Sequence, residues 1–279
     1  MVEILNIADR LCLSDNFFEI RNIYRVLTLE TLAKKDYISE EILNIRYSDI
    51  DFDKKLKMFS LLNFFQDIAS DNAEKYGFGY SYIYPKNLMW VLLKYRIEFK
   101  EYPTDIQSLR LITEPRGCNK LFAYRNFELY NDKKLLAQAS SMWALVDLRN
   151  MNMANAENIL SDIPTMGKFN PAENDLKYDK IPPITQTDFE EEFKVRYNDI
   201  DVNMHANNSN YIIWGLETIP CEFRKKYTLK NVDMVYKKEI KYNEKLISGV
   251  QILENNTTLH RLKNASTNDD LCLIKCEWA

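Results

Sequence analysis

Three polar residues at alternate positions are the first candidates for chemistry in this chain. Asp201, Asn203 and His205 lie in the segment VRYNDIDVNMHANNSNYIIW, and the chain contains only 2 histidines. Alternate side chains of an extended strand point to the same face, so we expect the acid, the amide and the imidazole to lie together. A carboxylate beside an imidazole is suited to proton transfer.

The residues that follow this set predict the start of a helix. Asparagine is a good N-cap, and Tyr211 and Trp214 recur at helical spacing after Asn207 and Asn208. The alternative interpretation of the whole stretch is structural, because acids and asparagines near a helix start often only cap it.

An earlier segment of the chain resembles this one and indicates a duplication. Both segments contain Arg-Tyr-x-Asp-Ile-Asp, at Arg46, Tyr47, Asp49, Ile50 and Asp51 and again at Arg196, Tyr197, Asp199, Ile200 and Asp201. Asp53 and Lys55 stand in the first copy where Asn203 and His205 stand in the second. We therefore expect one working site and one copy that serves as scaffold.

Glu239 in the run VYKKEIKY is a further candidate acid. Alignment of YKKEIKY with LKYRIEF of the first copy places Arg96 opposite Glu239. We expect Glu239 to lie on the strand that follows the helix. The alternation of Glu239 with Lys237 and Lys241 is equally typical of a solvated strand edge. For Cys221 we expect a buried structural role rather than that of a nucleophile.

The order of elements predicts an α+β architecture in two repeats. Each copy reads as a strand, a helix and about four antiparallel strands, such as LMWVLLKYRIEF and SLRLITEP in the first copy. We predict a helical extension over residues 1–40, a first repeat over 41–148, a linker over 149–188 and a second repeat over 189–279. A curved antiparallel sheet wrapped around a central helix is a hotdog fold.

Composition excludes several classes of protein. A net charge of −4 gives no reason to expect nucleic acid or an anionic membrane as a partner, and the chain has no GxGxxG or GxxxxGK[ST] motif. The 5 cysteines form no CxxC pair, so we expect no zinc site and a reducing, cytoplasmic environment. Basic clusters that could meet an acidic partner are Lys54, Lys55 and Lys57; Arg224, Lys225 and Lys226; and Lys237 and Lys238.

The segment DIDVNMHANNSNYIIW resembles the signature Asp-x-Asn-x-His-x-Asn-Asn-x-x-Tyr-x-x-Trp of acyl-acyl carrier protein thioesterases, in plant plastids and bacteria. YKKE, ending at Glu239, resembles the Tyr-Arg-Arg-Glu of their second half. The resemblance extends over residues 41–279 and implies a double hotdog that hydrolyses fatty acyl thioesters. Plant members have cysteine directly after that glutamate, whereas this chain has Ile240, which excludes a thiol nucleophile there.

The resemblance also implies residue roles and a partner. By position, the catalytic residues fall on Asp201, Asn203, His205 and Glu239, and Asn207, Asn208, Tyr211 and Trp214 are expected to bind substrate. Asp201 or Glu239 is the general base, with no metal and no cofactor, and the first-copy helix walls the acyl pocket. The expected partner is acidic acyl carrier protein with its phosphopantetheine-linked acyl chain, and the enzyme is a monomer or homodimer. An acyl-CoA thioesterase and a non-catalytic acyl-binding module are the alternatives.

Overall fold

The first half of the chain contains a long helix and five strands of an antiparallel sheet. The computed structural model describes residues 37–169 and 175–279. Strand β1 (Ser39–Asn44) is followed by a 3₁₀ turn (Tyr47–Asp49) and by helix α1 (Met58–Lys75). Helix α1 ends before Gly77, whose φ of 81° lies in the left-handed region that favours glycine. Then come α2 (Tyr80–Ile83), β2 (Leu88–Phe99), β3 (Ser108–Asn119), β4 (Phe122–Asn131) and β5 (Lys134–Asp147).

The segment predicted as a linker packs against the first half. It contains the short strand β6 (Asn152–Met153), helix α3 (Ala156–Ile159) and a 3₁₀ turn (Pro164–Met166). Ala156, Leu160 and Met166 are buried in a cluster with Phe78 and Leu145. Their apolar side chains therefore anchor the start of this segment.

The second half repeats the plan with shorter helices. Its elements are β7 (Phe189–Lys194), a 3₁₀ turn (Tyr197–Asp199), α4 (Asn210–Glu217), α5 (Cys221–Lys226), β8 (Leu229–Tyr236), β9 (Lys245–Leu253), β10 (Thr257–Asn264) and β11 (Asp270–Trp278). The shared Arg-Tyr-x-Asp motif follows the first strand of each copy and is not part of it. In each copy it forms the 3₁₀ turn, because the aspartate carboxylate accepts the N–H of the arginine, at 2.9 Å for Asp49 and 2.7 Å for Asp199.

All ten long strands form one antiparallel sheet in the order β1-β3-β4-β5-β2-β8-β11-β10-β9-β7, with β6 beside β5. The order on one side of the β2–β8 junction mirrors the order on the other. Arg96 and Asp233 face each other across this junction. The predicted double hotdog, two α+β repeats each built on a central helix, is confirmed.

The two central helices supply much of the core. Leu61 and Phe65 of α1 and Ile212 and Trp214 of α4 are buried in one continuous apolar cluster. Burial of aliphatic and aromatic side chains is the main force that stabilises such a layer. The sheet and helices therefore form a rigid frame for the turns that precede each helix.

The predicted helical extension over residues 1–40 lies outside the described residues except for its last four, of which Ser39 and Glu40 begin β1. Within residues 37–169 and 175–279, no helix has the length and apolarity needed to cross a bilayer. Cys118, Cys272 and Cys276 are free and buried, whereas Cys221, expected to be buried, is free and exposed.

Candidate functional site

The acid, amide and imidazole lie in a tight turn rather than on an extended strand. Asp201 Oδ1 accepts the backbone N–H of Asn203 at 2.8 Å and that of His205 at 3.4 Å. Met204, between them, has a φ of 66°, which reverses the chain. The prediction of a strand face is therefore wrong, because the Asp201 side chain folds the backbone back on itself.

His205 and Glu239 form the closest contact between side chains of the four candidate residues. His205 Nε2 lies 3.1 Å from Glu239 Oε2, and the two side chains are 25% and 43% exposed. Backbone contacts hold the two segments together, since the N–H of Ala206 donates to the carbonyl of Ile240 at 2.9 Å and His205 bridges Lys241. Glu239 itself lies just beyond the end of β8, in irregular backbone, and not on the predicted strand.

The proton of His205 is best placed on Nε2. Nδ1 is buried and has no hydrogen-bond partner among the described residues. Nε2–H can donate to the Glu239 carboxylate, whereas a proton on Nδ1 would be a buried donor without an acceptor. The imidazole therefore presents one working nitrogen to the site.

The four predicted catalytic residues share one small cavity. It has a volume of about 100 Å³, and its lining includes Asp201, Asn203, His205 and Glu239. The opposite wall is residues 89–93 of β2, which extend beyond the part of β2 that pairs with β8. A bulge at Leu93 shifts the register of β2 against β5 at this point. The first half of the chain therefore forms one wall of the second-half site.

The four predicted substrate-binding residues are divided by the structure. Asn208 and Tyr211 line the cavity, whereas Asn207 and Trp214 do not. Asn207 Oδ1 accepts the N–H of Ser209 at 3.0 Å, so α4 begins at Asn210 and not at the asparagine pair. Trp214 is buried in the core with its ring against Tyr211.

Tyr236 is a site residue to which sequence reasoning assigned no role. Its hydroxyl donates to the carbonyl of Asn208 at 3.1 Å, and it lines the cavity. Burial raises the pKa of Tyr211 and of Tyr236, so both hydroxyls keep their protons and act as donors. The sequence signal that could have identified Tyr236 is its position directly before Lys237 in the YKKE motif. No sequence signal pointed to residues 89–93 of β2, because only the fold brings them near His205.

The first half has a different residue at the position of Glu239. Lys55 bridges Thr104 as His205 bridges Lys241, and the N–H of Leu56 donates to the carbonyl of Pro103 as Ala206 does to Ile240. The counterpart of Glu239 is therefore Tyr102. The predicted pairing with Arg96 is wrong, because Arg96 lies opposite Asp233 in the sheet.

Comparison with known proteins identifies relatives of both halves. Residues 36–163 match the family model of the acyl-ACP thioesterase N-terminal domain, and residues 183–279 match that of the C-terminal domain. The chain is 25% identical to the chloroplastic acyl-[acyl-carrier-protein] hydrolase FATB3 of Cuphea viscosissima, over 84% of this chain and 61% of that protein. It is 26% identical to the chloroplastic palmitoyl-acyl carrier protein thioesterase of Arabidopsis thaliana, over 75% of this chain and 53% of the relative. The chain thus spans less than two thirds of the length of these plant relatives.

Two solved structures share the fold. An acyl-ACP thioesterase from Bacteroides thetaiotaomicron superposes with a TM-score of 0.78 at 24% identity, covering 88% of this chain and 99% of that one. The 12:0-ACP thioesterase from Umbellularia californica superposes with a TM-score of 0.77 at 18% identity, covering 87% and 97%. Both span the two halves of the sheet.

Proposed function

The chain belongs to the acyl-ACP thioesterase family, and from this premise we propose that it hydrolyses fatty acyl thioesters on acyl carrier protein to free fatty acid and holo-carrier protein. The observation that carries the proposal is the contact of 3.1 Å between His205 Nε2 and Glu239 Oε2 in a cavity shared with Asp201 and Asn203. This set combines a solvent-accessible carboxylate with a positioned imidazole, as water activation requires.

Glu239 is the proposed general base. Its carboxylate is accessible, and within the described chain the polar side chain in contact with it is that of His205. In contrast, Asp201 Oδ1 accepts hydrogen bonds from two backbone N–H groups of its own turn, and Asp201 Oδ2 lies 3.5 Å from Asn203 Nδ2. Asp201 and Asn203 thus position His205, and His205 orients Glu239.

The reaction proceeds by attack of water on the thioester carbonyl carbon while Glu239 takes the proton. The negative charge that develops on the carbonyl oxygen needs a donor, and no hydrogen bond within the described residues engages the N–H of Asn208. This N–H lies at the cavity, next to the start of α4, and is the proposed donor. Collapse of the tetrahedral intermediate breaks the carbon–sulfur bond, and the phosphopantetheine thiolate takes the proton back from Glu239.

The acyl chain is proposed to extend past Trp90 into the first half. Trp90 lines the catalytic cavity and also a second cavity of about 90 Å³. The wall of this second cavity includes Ala69 and Ala73 of α1 and Phe78. Residues 41–148 would then hold the acyl chain and residues 189–279 would perform the chemistry, joined by residues 149–188.

The carrier protein is proposed to dock beside Lys237 and Lys238. Both lysines line the catalytic cavity, whereas the other two basic clusters lie elsewhere. Lys238 Nζ pairs with Asp269 at 2.9 Å, and no carboxylate pairs with Lys237 in the described chain. A free ammonium at the cavity suits a phosphate or an acidic helix. The cytoplasmic location remains a prediction from the scattered cysteines, and the names of the plant relatives place those proteins in chloroplasts.

A panel of acyl-carrier protein thioesters from short to long chains, monitored for release of free thiol, tests the proposal. We expect hydrolysis of at least one chain length, faster than that of the matching acyl-CoA. Absence of thiol release with every member would refute the activity, and preference for the CoA esters would refute the carrier.

A further inference from the structure

A third and larger cavity lies beside the first-half counterpart of the catalytic turn. Lys55 occupies there the position that His205 has in the second half, as their matching backbone bridges show. The cavity next to Lys55 measures about 800 Å³, compared with about 100 Å³ for the catalytic cavity. This volume is in the range of small-molecule binding sites.

One wall of this cavity is apolar and comes from the second half. Ile212, Ile213 and Leu216 of α4 line it, together with Ile219 and Trp278. A continuous aliphatic wall of this kind suits a hydrocarbon chain. The wall is fixed, because Ile212, Leu216 and Ile219 also belong to the buried core cluster.

Two of the cations that line the cavity lack a carboxylate partner among the described residues, whereas Lys225 pairs with Glu222 at 3.4 Å. Lys55, Lys57, Arg224 and Lys225 all line it, so two basic clusters far apart in the sequence converge on one site. The acids that face them are Asp51, Asp53 and Glu217. Asp51 Oδ1 accepts the N–H groups of Asp53 and Lys55, each at 2.9 Å, and Glu217 pairs with Arg224 at 2.8 Å.

Lys55 and Lys57 have no carboxylate partner in the described part of the chain. The Lys55 side chain is half-buried and its ammonium donates to the Thr228 hydroxyl at 3.4 Å, while Lys57 is exposed and its Nζ donates to the carbonyl of Ser48 at 3.0 Å. A half-buried ammonium is stabilised by an anion that enters the cavity.

We propose that this cavity is a non-catalytic binding site for a fatty acid, whose carboxylate pairs with Lys55 while its chain lies along α4. An intact thioester has no negative charge at its carbonyl, so a lysine in place of the histidine favours the free acid over the thioester. The proposal rests on the proposed function only for the source of the fatty acid, because binding itself requires no hydrolysis.

Cys221 supplies a reporter for the test. It is exposed and lines this cavity, whereas Cys118, Cys272 and Cys276 are buried. In the full-length protein with Cys12→Ser, the rate at which Cys221 reacts with iodoacetamide is measured during titration with dodecanoate below its micelle concentration. We expect saturable protection.

Matched variants identify the groups that bind. Lys55→Met should raise the dodecanoate concentration for half protection at least about tenfold, as expected for loss of one charge-assisted contact. Lys54→Met is the control, because Lys54 is exposed, pairs with Asp105 and does not line the cavity. Ile213→Trp, which fills the apolar wall, should abolish protection and replaces Lys55→Met if that variant does not fold.

The proposal would be overturned by no protection up to the solubility limit of dodecanoate, by equal protection by dodecanol, or by an equal loss of protection in Lys54→Met and Lys55→Met. Protection that persists in His205→Ala supports it, and protection lost there would assign the fatty acid to the catalytic cavity instead. Because thiol alkylation is independent of hydrolysis, failure of this proposal and failure of the proposed activity give different results.

Discussion

Arg96 Nη1 and Asp233 Oδ2 meet at 2.5 Å across the junction of β2 and β8, although 137 residues separate them in the chain. Both side chains are buried, and Arg96 also binds Glu98 at 2.8 Å. Tyr102 and Glu239 are also 137 residues apart, so Tyr102 is the first-half residue that stands in the position of Glu239. The pair therefore marks the pseudo-twofold axis between the halves.

Removing one partner of this pair should destabilise the protein strongly. Arg96→Met leaves the Asp233 carboxylate buried without its cation, and we expect a loss of about 3–5 kcal/mol in the free energy of unfolding. The double variant Arg96→Met with Asp233→Leu should lose less, because the buried carboxylate is removed together with its cation. Urea denaturation measures the free energy of unfolding of both variants. Lys134→Met, which breaks the exposed pair with Glu101, should cost about 0–1 kcal/mol.

His205→Ala should lower kcat at least about tenfold, as expected when a group that positions a proton transfer is lost. The fold should remain, because the Asp201 turn is held by backbone N–H groups. Val202→Ala, in the same turn and 96% exposed, is the control with unchanged turnover. Equal kcat in the two variants would remove His205 from the mechanism.

Glu239→Gln separates the roles of the two acids. If Glu239 is the base, kcat falls by a factor of about 10²–10⁴ with a small change in KM. Asp201→Asn keeps an oxygen that accepts the turn's N–H groups, so it should retain the melting temperature and most of the activity. Steady-state kinetics decide between them, and the opposite ranking would make Asp201 the base.

Trp90→Ala should join the catalytic cavity to the second cavity and favour longer acyl chains. Each methylene newly buried is worth about 0.8 kcal/mol, or about fourfold in kcat/KM. Trp90→Phe keeps most of the partition and serves as the control. A chain-length profile that is identical in the two variants would place the acyl chain elsewhere.

His260 should make the protein less stable in mild acid. It is 1% exposed, and burial lowers its pKa from 6.5 to about 3. The unfolded chain therefore binds the proton near its ordinary pKa and the folded chain does not. Stability is complete above about pH 6.5 and decreases as the pH falls toward 3, by about 2 kcal/mol between about pH 7.5 and about pH 5.

His260→Gln removes this titration. Urea denaturation at the two pH values should show a pH dependence smaller by that amount in the variant than in the native protein. Because the carboxylates are common to both proteins, the difference reports His260 alone. An unchanged pH dependence would show that folding does not lower the pKa of His260.

The sequence by itself determined the elements and the candidate acids. The apolar period predicts a helix over residues 59–76, and α1 agrees with it to within one residue at each end. The β-forming run LMWVLLKYRIEF coincides with β2. These are local properties, since side-chain periodicity reflects the face on which a segment is buried. The duplication followed from Arg-Tyr-x-Asp-Ile-Asp in both halves, and the placing of Asp201, Asn203, His205 and Glu239 followed from a family resemblance.

Only the tertiary structure decided how those residues are brought together. The turn at Met204, the counterpart Tyr102 and the wall formed by residues 89–93 depend on backbone bridges and on the β2–β8 junction. Such contacts join residues far apart in the chain, and no local propensity encodes their register. The large cavity beside Lys55 arises in the same way, because Lys55 and Lys57 come from the first half and its apolar wall from the second.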